Sequence, residues 1–450
     1  MLHSLYFFLL FPLLLSSSPS LPSSASPSAS PLLPFLRTLS LPPPWNETLP
    51  PCRLPGVSCT TAGDIVALNL SGLSISTPLS AAAQHLVLLP SLRSLDLSLN
   101  HLTGNIPSSL FLSLRLRYLH LGQNFLSGPI PKEISFSIDL EYLYLYKNLL
   151  TGDIPPELTL LPNLRYLYLN ENNLTGGLPN FPSHCSVSVL YLHWNFLSGP
   201  IPTSLFNCHD LTELVLSFNR FEGSVPDLFD EMSGLELLYL DDNGFVGEIP
   251  RSLGKLGNLT SAMLSKNHFI GSVPGEIGGC RALKSLNVWG NHLSGTIPSQ
   301  LGKLGSLKSF SLADNQLVGP LPAQIGNCSS LEELELQDNL IAGPIPSELA
   351  KLKNLKKLWL FNNLLEGTIP PEIGKLRALW NLQLYNNRLT GTIPSEITQL
   401  QKLQCLSLAH NNLTGQLPSD LGRSTESGLI KLDLTGNHFY GPIPSGLCSG

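Results

Sequence analysis

Charge is scarce in this chain: Asp, Glu, Lys and Arg make up 13% of its 450 residues and leave a formal net charge of −6. A nucleic-acid partner needs a basic footprint, and this balance excludes one. Long apolar runs are scarce too. The run LYFFLLFPLLL at residues 5–15 is shorter than the ~20 residues a bilayer-spanning helix requires, and no apolar span of that kind follows later in the chain. Clustered metal ligands are missing as well. His101, His268, His292 and His438 each follow a recurring asparagine and lie whole repeats apart, so they read as loop residues. No nucleophile–base pair stands out, and no catalytic residue, metal or cofactor is expected.

What the chain has in abundance is a single phrase. It reads LDLSLNHLTGNIP, LHLGQNFLSGPIP, LYLYKNLLTGDIP, and later LWLFNNLLEGTIP and LQLYNNRLTGTIP. Fifteen marker asparagines run from Asn100 to Asn437, spaced by 24 residues except for 23 between Asn172 and Asn195 and 26 between Asn411 and Asn437. A degenerate sixteenth copy, IVALNLSGL, precedes them with Leu73 in the asparagine position. In the LxL segment the leucines alternate with other residues, as in a short strand with one buried face. Leu95 and Leu97 face inward, Asp96 and Ser98 outward. The asparagine amide supplies donors and an acceptor for the turning backbone. The glycine permits a bend, and Ile-Pro sets the chain for its return.

One unit cannot bury its own apolar face, so neighbours stack. Period and leucine spacing predict an α/β leucine-rich-repeat solenoid with parallel β-strands on the concave face and short helical or 3₁₀ returns on the convex face. At ~4.7–4.9 Å per strand, fifteen repeats make a curved rod ~70 Å long. The 42% hydrophobic content supplies its core.

Residues 1–25 read as a secretory signal peptide, although the charged leader is missing and only His3 stands there. A Ser/Pro-rich segment, 26–44, cannot pack much core, and much of it is expected to be disordered or removed. Residues 45–64 form an N-terminal cap and 65–450 the repeats, the last incomplete. GPIPSGLCSG carries no polar cap, so the chain is expected to be a fragment or truncated product. In the cap, Cys52 and Cys59 are expected to form a disulfide. Cys208, Cys280 and Cys328 stand where other repeats have leucine and read as buried thiols. Cys280 and Cys328 are two repeats, ~10 Å, apart and too far to pair. Cys185 and Cys208 lie in adjacent repeats, where a disulfide is geometrically allowed. Glycosylation sequons occur at Asn46, Asn69, Asn173, Asn258, Asn327 and Asn412.

The outward positions lie six, four, two and one residues before each asparagine. In the repeats ending at Asn124 to Asn243 they hold Tyr118, Tyr142, Tyr144, Tyr146, Tyr166, Tyr168, Tyr191, His193, Trp194, Phe218 and Tyr239. A contiguous exposed apolar patch marks a partner site. The competing reading is mutual stabilisation of aromatics across strands. Six strands span ~24 Å, room for an extended peptide of roughly seven residues. Farther along, Asp314, Glu333, Glu335 and Asp338 make the face acidic, followed by Lys357, Trp359, Phe361 and Tyr385. That arrangement favours a ligand carrying Lys or Arg.

The LxGxIP extension, the N-terminal cysteine pair and the leader together resemble the ectodomain of plant leucine-rich-repeat receptor kinases over about residues 45–450. GTIPSEITQL and GPIPSELAKL carry the likeness, and the wording is similar to the branch that perceives secreted peptides. The resemblance implies an extracellular or cell-surface, peptide-sensing region and a co-receptor kinase ectodomain as a second partner. It also implies further repeats, a transmembrane helix and a Ser/Thr kinase, none of which stands in this sequence. Two departures appear. Leu54 stands where the family has Trp between the cap cysteines, Trp45 being the nearest substitute. The Arg-x-Arg pair that holds a ligand carboxylate in some members is replaced by Lys357-x-Trp359 and Lys431-x-Asp433. The alternatives are a secreted protein of the polygalacturonase-inhibitor type and a decoy receptor.

Overall fold

The computed structural model describes residues 32–39, 45, 49–423 and 428–448. The leader reading for 1–25 and the Asn46 sequon lie outside the described residues. The alternating leucines act as expected. From Ile65–Asn69 to Lys431–Asp433 each LxL segment is a short strand paired in parallel with its neighbours, and Val57–Cys59 adds an antiparallel edge, giving a 17-stranded sheet. Strands meet in register, Tyr118 beside Tyr142 and Tyr142 beside Tyr166. Leucines such as Leu95, Leu97, Leu119 and Leu121 are fully buried in one core that runs the length of the rod.

The asparagine ladder explains why the turns survive burial. Asn124 Oδ1 accepts from the Leu102 backbone N–H at 2.9 Å, and its Nδ2 donates to the Leu97 and Leu121 carbonyls at 3.0 and 3.1 Å. The same bonds recur along the ladder, each asparagine tying its own turn to the repeat before it. The residue before the asparagine is left-handed, with φ of +56° at Leu99, +57° at Trp194 and +55° at Phe218. A non-glycine residue there costs roughly 1–2 kcal/mol, which the surrounding bonds offset.

The segment after each asparagine is a second strand, a layer the repeat arithmetic did not anticipate. It builds flanking parallel sheets of four, four and six strands, the first from Thr103–Asn105 to Asn173–Thr175. Gly128 is needed there: its φ is +72° and a Cβ would lie 2.5 Å from Asn105 Oδ1. The returns are mostly 3₁₀ turns of five residues, such as Arg251–Lys255.

The first break in the flank falls at the 23-residue repeat. Residues 177–188 form neither helix nor strand, and Cys185 is bonded to Cys208 of the next repeat, their Cα atoms 4.6 Å apart. Cys208 is therefore a buried half-cystine and not the free thiol its leucine position suggested, because a repeat without a helical return brings Cys185 to it. Cys52 and Cys59 are bonded in the cap, where Leu54 and Trp45 both join the core. Cys280 and Cys328 are free and buried; burial pushes the Cys280 thiol up to about 11.

One correction concerns the Ser/Pro-rich segment. Leu32–Thr38 is a helix with Leu32, Phe35 and Leu36 buried, because LLPFL carries enough apolar surface to close the end of the core beside Leu79–Leu86. The two halves also differ on the convex side. Twelve residues before the marker asparagine, Leu88, Leu112, Phe136 and Leu160 are exposed in four successive repeats. Later repeats place Asn207, Glu231 and Lys255 there. Asn69, Asn173, Asn258, Asn327 and Asn412 are all exposed. No helix among the described residues is long and apolar enough to cross a membrane.

Candidate ligand-binding surface

Strand register lines the tyrosines up in rows. Tyr118, Tyr142 and Tyr166 form one row, with ring centroids 5.8 and 4.7 Å apart. Tyr144, Tyr168 and Tyr191 form the next, at 4.9 and 4.7 Å. Tyr146 crosses to Tyr168, and His193 meets Tyr191 edge-on. The result is one carpet across four strands. Its rings are half-buried, each covered by its neighbours and open on the concave side. Aromatic pairs at such separations contribute about 0.5–1.5 kcal/mol each beyond their buried area. Cross-strand stabilisation and an apolar landing surface are thus the same arrangement.

Three of the aromatic positions behave differently. Trp194 and Phe218 are not on strands; they project from the left-handed turns at the strand ends and stack at 4.2 Å, leaving Trp194 53% exposed. Tyr239 stands apart, separated from Tyr191 by buried Val215.

The structure adds residues that the aromatic inventory passed over. His120 sits four residues before Asn124, an outward position by the same count, and packs 5.0 Å from Tyr144 and 5.5 Å from Tyr146. Its Nδ1 is 3.4 Å from Asp96 Oδ1. Burial pushes the Asp96 carboxyl up, but His120 and Ser98 outweigh it and hold it below its usual value. Tyr146 can lie flat over its neighbour because residue 122 is glycine: a Cβ there would lie 2.8 Å from Tyr146 Cε1. Tyr191 donates to Glu213, and both burial and that carboxylate push its phenol up. Burial, aided by Lys147, lowers His193 to about 4, so its imidazole is neutral at ordinary pH. Asn170 Oδ1 and His193 Nδ1 are buried on neighbouring strand ends with no hydrogen-bond partner. The carpet therefore offers rings and tyrosine hydroxyls.

A second, charged cluster occupies the same positions farther along. Lys357 Nζ lies 4.6 Å over the Trp359 ring and 3.1 and 3.4 Å from Glu335 and Glu333. Burial alone would lower that ammonium, but the two carboxylates outweigh it and raise it. Phe361 stacks on Tyr385 at 4.3 Å. An open groove of about 1040 Å³ lies elsewhere, on the convex side around Arg251, Glu276 and Gln300. No group of three metal-ligating side chains occurs among the described residues.

The Leucine Rich Repeat family matches residues 91–112, 115–136, 210–232, 234–256, 354–376, 378–400, 402–424 and 428–449, with related repeat families over 138–183 and 281–341. An LRR protein of Leptospira interrogans, LIC12759, is 32% identical over 77% of this chain and 90% of that one, with a TM-score of 0.61. The chain belongs to the leucine-rich-repeat family. This leucine-rich-repeat protein is also similar to PEPR1, solved with AtPEP1: 37% identity, TM-score 0.85, covering 93% of this chain and 59% of that one. It thus spans 59% of that chain's length. The Arabidopsis receptor kinase HAESA, solved with the peptide hormone IDA and the co-receptor SERK1, is 28% identical at a TM-score of 0.52, with 93% and 87% covered. The likeness is to plant receptor-kinase ectodomains. No curated protein matches the chain.

Proposed function

We propose that this chain is the extracellular ligand-sensing region of a plant receptor kinase and binds a secreted peptide on its concave face. The observation that carries the reading is the continuous carpet from Tyr118 to Tyr191. An extended peptide laid across it covers ring faces and exchanges water for the tyrosine hydroxyls, the contact type at which aromatic residues dominate interface energetics. The likeness to PEPR1 and HAESA, both solved with peptides, supports it. A co-receptor ectodomain is the second partner, docking once ligand is in place, by likeness to the HAESA complex with SERK1.

The test is binding of a panel of secreted plant peptides to the purified chain and to its Tyr144→Ala/Tyr168→Ala/Trp194→Ala variant. Saturable binding that the folded variant loses supports the reading. Equal binding by both proteins removes the aromatic face from it, and no binding by the unmutated chain overturns it.

A further inference from the structure

The concave face carries a second buried polar pair with no partners. Gln337 is only 8% exposed, and its Oε1 makes no hydrogen bond; neither does Trp359 Nε1 on the next strand. Glu335, two residues before Gln337, pairs in register with Trp359, which makes Gln337 and Trp359 diagonal neighbours. An unpaired buried donor or acceptor costs about 1–3 kcal/mol. Here one donor and one acceptor are left over together, the complement of a single peptide group. Around them stand the carboxylates of Glu333, Glu335 and Asp338, with Lys357 as the facing cation. Along the edge of the sheet, Glu332 is already shared between Lys308 and Lys356.

We infer that Glu333, Glu335, Gln337 and Trp359 form a second ligand subsite, one that takes a basic residue of an extended peptide. Lys357 is its resident stand-in. The Lys357 ammonium occupies the place a ligand guanidinium or ammonium takes, over the indole face and between two carboxylates. An incoming arginine displaces it, and the flanking peptide group satisfies the indole N–H and the Gln337 carbonyl. Planar guanidinium suits both the carboxylate fork and the indole stack better than ammonium. The inference rests on the concave-face reading above and extends it. Eight strand gaps separate Tyr166–Tyr168 from Lys357–Trp359, ~38 Å, so a ligand filling both sites is about twelve residues long.

The probe is Ac-Gly-Arg-Gly-NH₂, too short to reach the tyrosines, with its neutral citrulline counterpart as control. The readout is ¹⁹F NMR of the chain carrying 5-fluorotryptophan at its five tryptophans, the Trp359 signal being assigned with Trp359→Phe. The arginine probe should shift that signal saturably, and the citrulline probe should bind about tenfold more weakly. Lys357→Met, which vacates the cation position, should tighten the arginine probe about tenfold, and Glu335→Gln should weaken it about tenfold. Gain of binding in Lys357→Met cannot come from misfolding. No shift at millimolar probe in either the unmutated chain or Lys357→Met overturns the subsite. So does equal response to both probes. Either result, with peptide-panel binding still sensitive to Tyr144 and Tyr168, overturns this inference alone.

Discussion

The tyrosine carpet and the Trp359 cluster stand on the same backbone positions, eight strands apart, and solve opposite problems. In the carpet, rings cover rings, His193 is held neutral, and most of the stability is apolar contact. At Trp359 one ring is covered by a cation that two carboxylates neutralise. The convex side repeats the contrast, with exposed leucines and Phe136 under the carpet's half and charged or polar residues farther on. Backbone and ladder are indifferent to the change. A solenoid fixes where side chains go and leaves their chemistry free, so two unlike surfaces coexist on one scaffold.

The comparison can be broken most severely within the carpet. Tyr144→Ala/Tyr168→Ala removes the centre of the middle row and should cost about 4 kcal/mol locally. Hydrogen exchange should rise in strands 118–191 and stay unchanged near Trp359, since repeats communicate chiefly with neighbours. A global loss of protection would show that the two regions are not independent.

Next in size is the staple between the halves. Cys185→Ala/Cys208→Ala opens a link across the helix-free repeat and should cost about 3 kcal/mol, read as a lower midpoint in denaturant. An unchanged midpoint would mean that packing alone holds the 23-residue repeat.

Acid should act on the carpet through His193. His193 has its folded value lowered to about 4 from 6.5, so the neutral form is the one the fold favours. Its contribution is fully present above pH 6.5 and is lost as pH falls toward 4, up to roughly 3 kcal/mol. A titration followed by exchange in the 189–191 strand should show that slope, and His193→Gln should flatten it.

The smallest effect is at the charged cluster itself. Lys357→Met should change stability by about 1 kcal/mol or less, because the pair is partly solvated. High salt should erase much of the difference, whereas the tyrosine variant's loss should persist in salt. A salt-insensitive loss larger than the tyrosine variant's would invert the comparison.

The residues alone determined a great deal. Leucine alternation, the marker asparagines and the glycine fix a parallel solenoid, because only stacked copies bury those leucines, and counting back from each asparagine finds the outward side chains. The same count reaches His120, four residues before Asn124, which the inventory passed over although it took in His193. Other features required the third dimension. Ring stacking, the left-handed seats of Trp194 and Phe218, and the unpartnered atoms of Asn170, His193, Gln337 and Trp359 depend on distances between repeats. So do the Cys185–Cys208 bond, which a missing return turn makes possible, and the flanking sheets, which arise only when neighbouring glycine-bearing segments meet. A period specifies what every repeat shares; what one repeat does to the next is decided by packing across the strand gap, and the candidate site is built from such contacts.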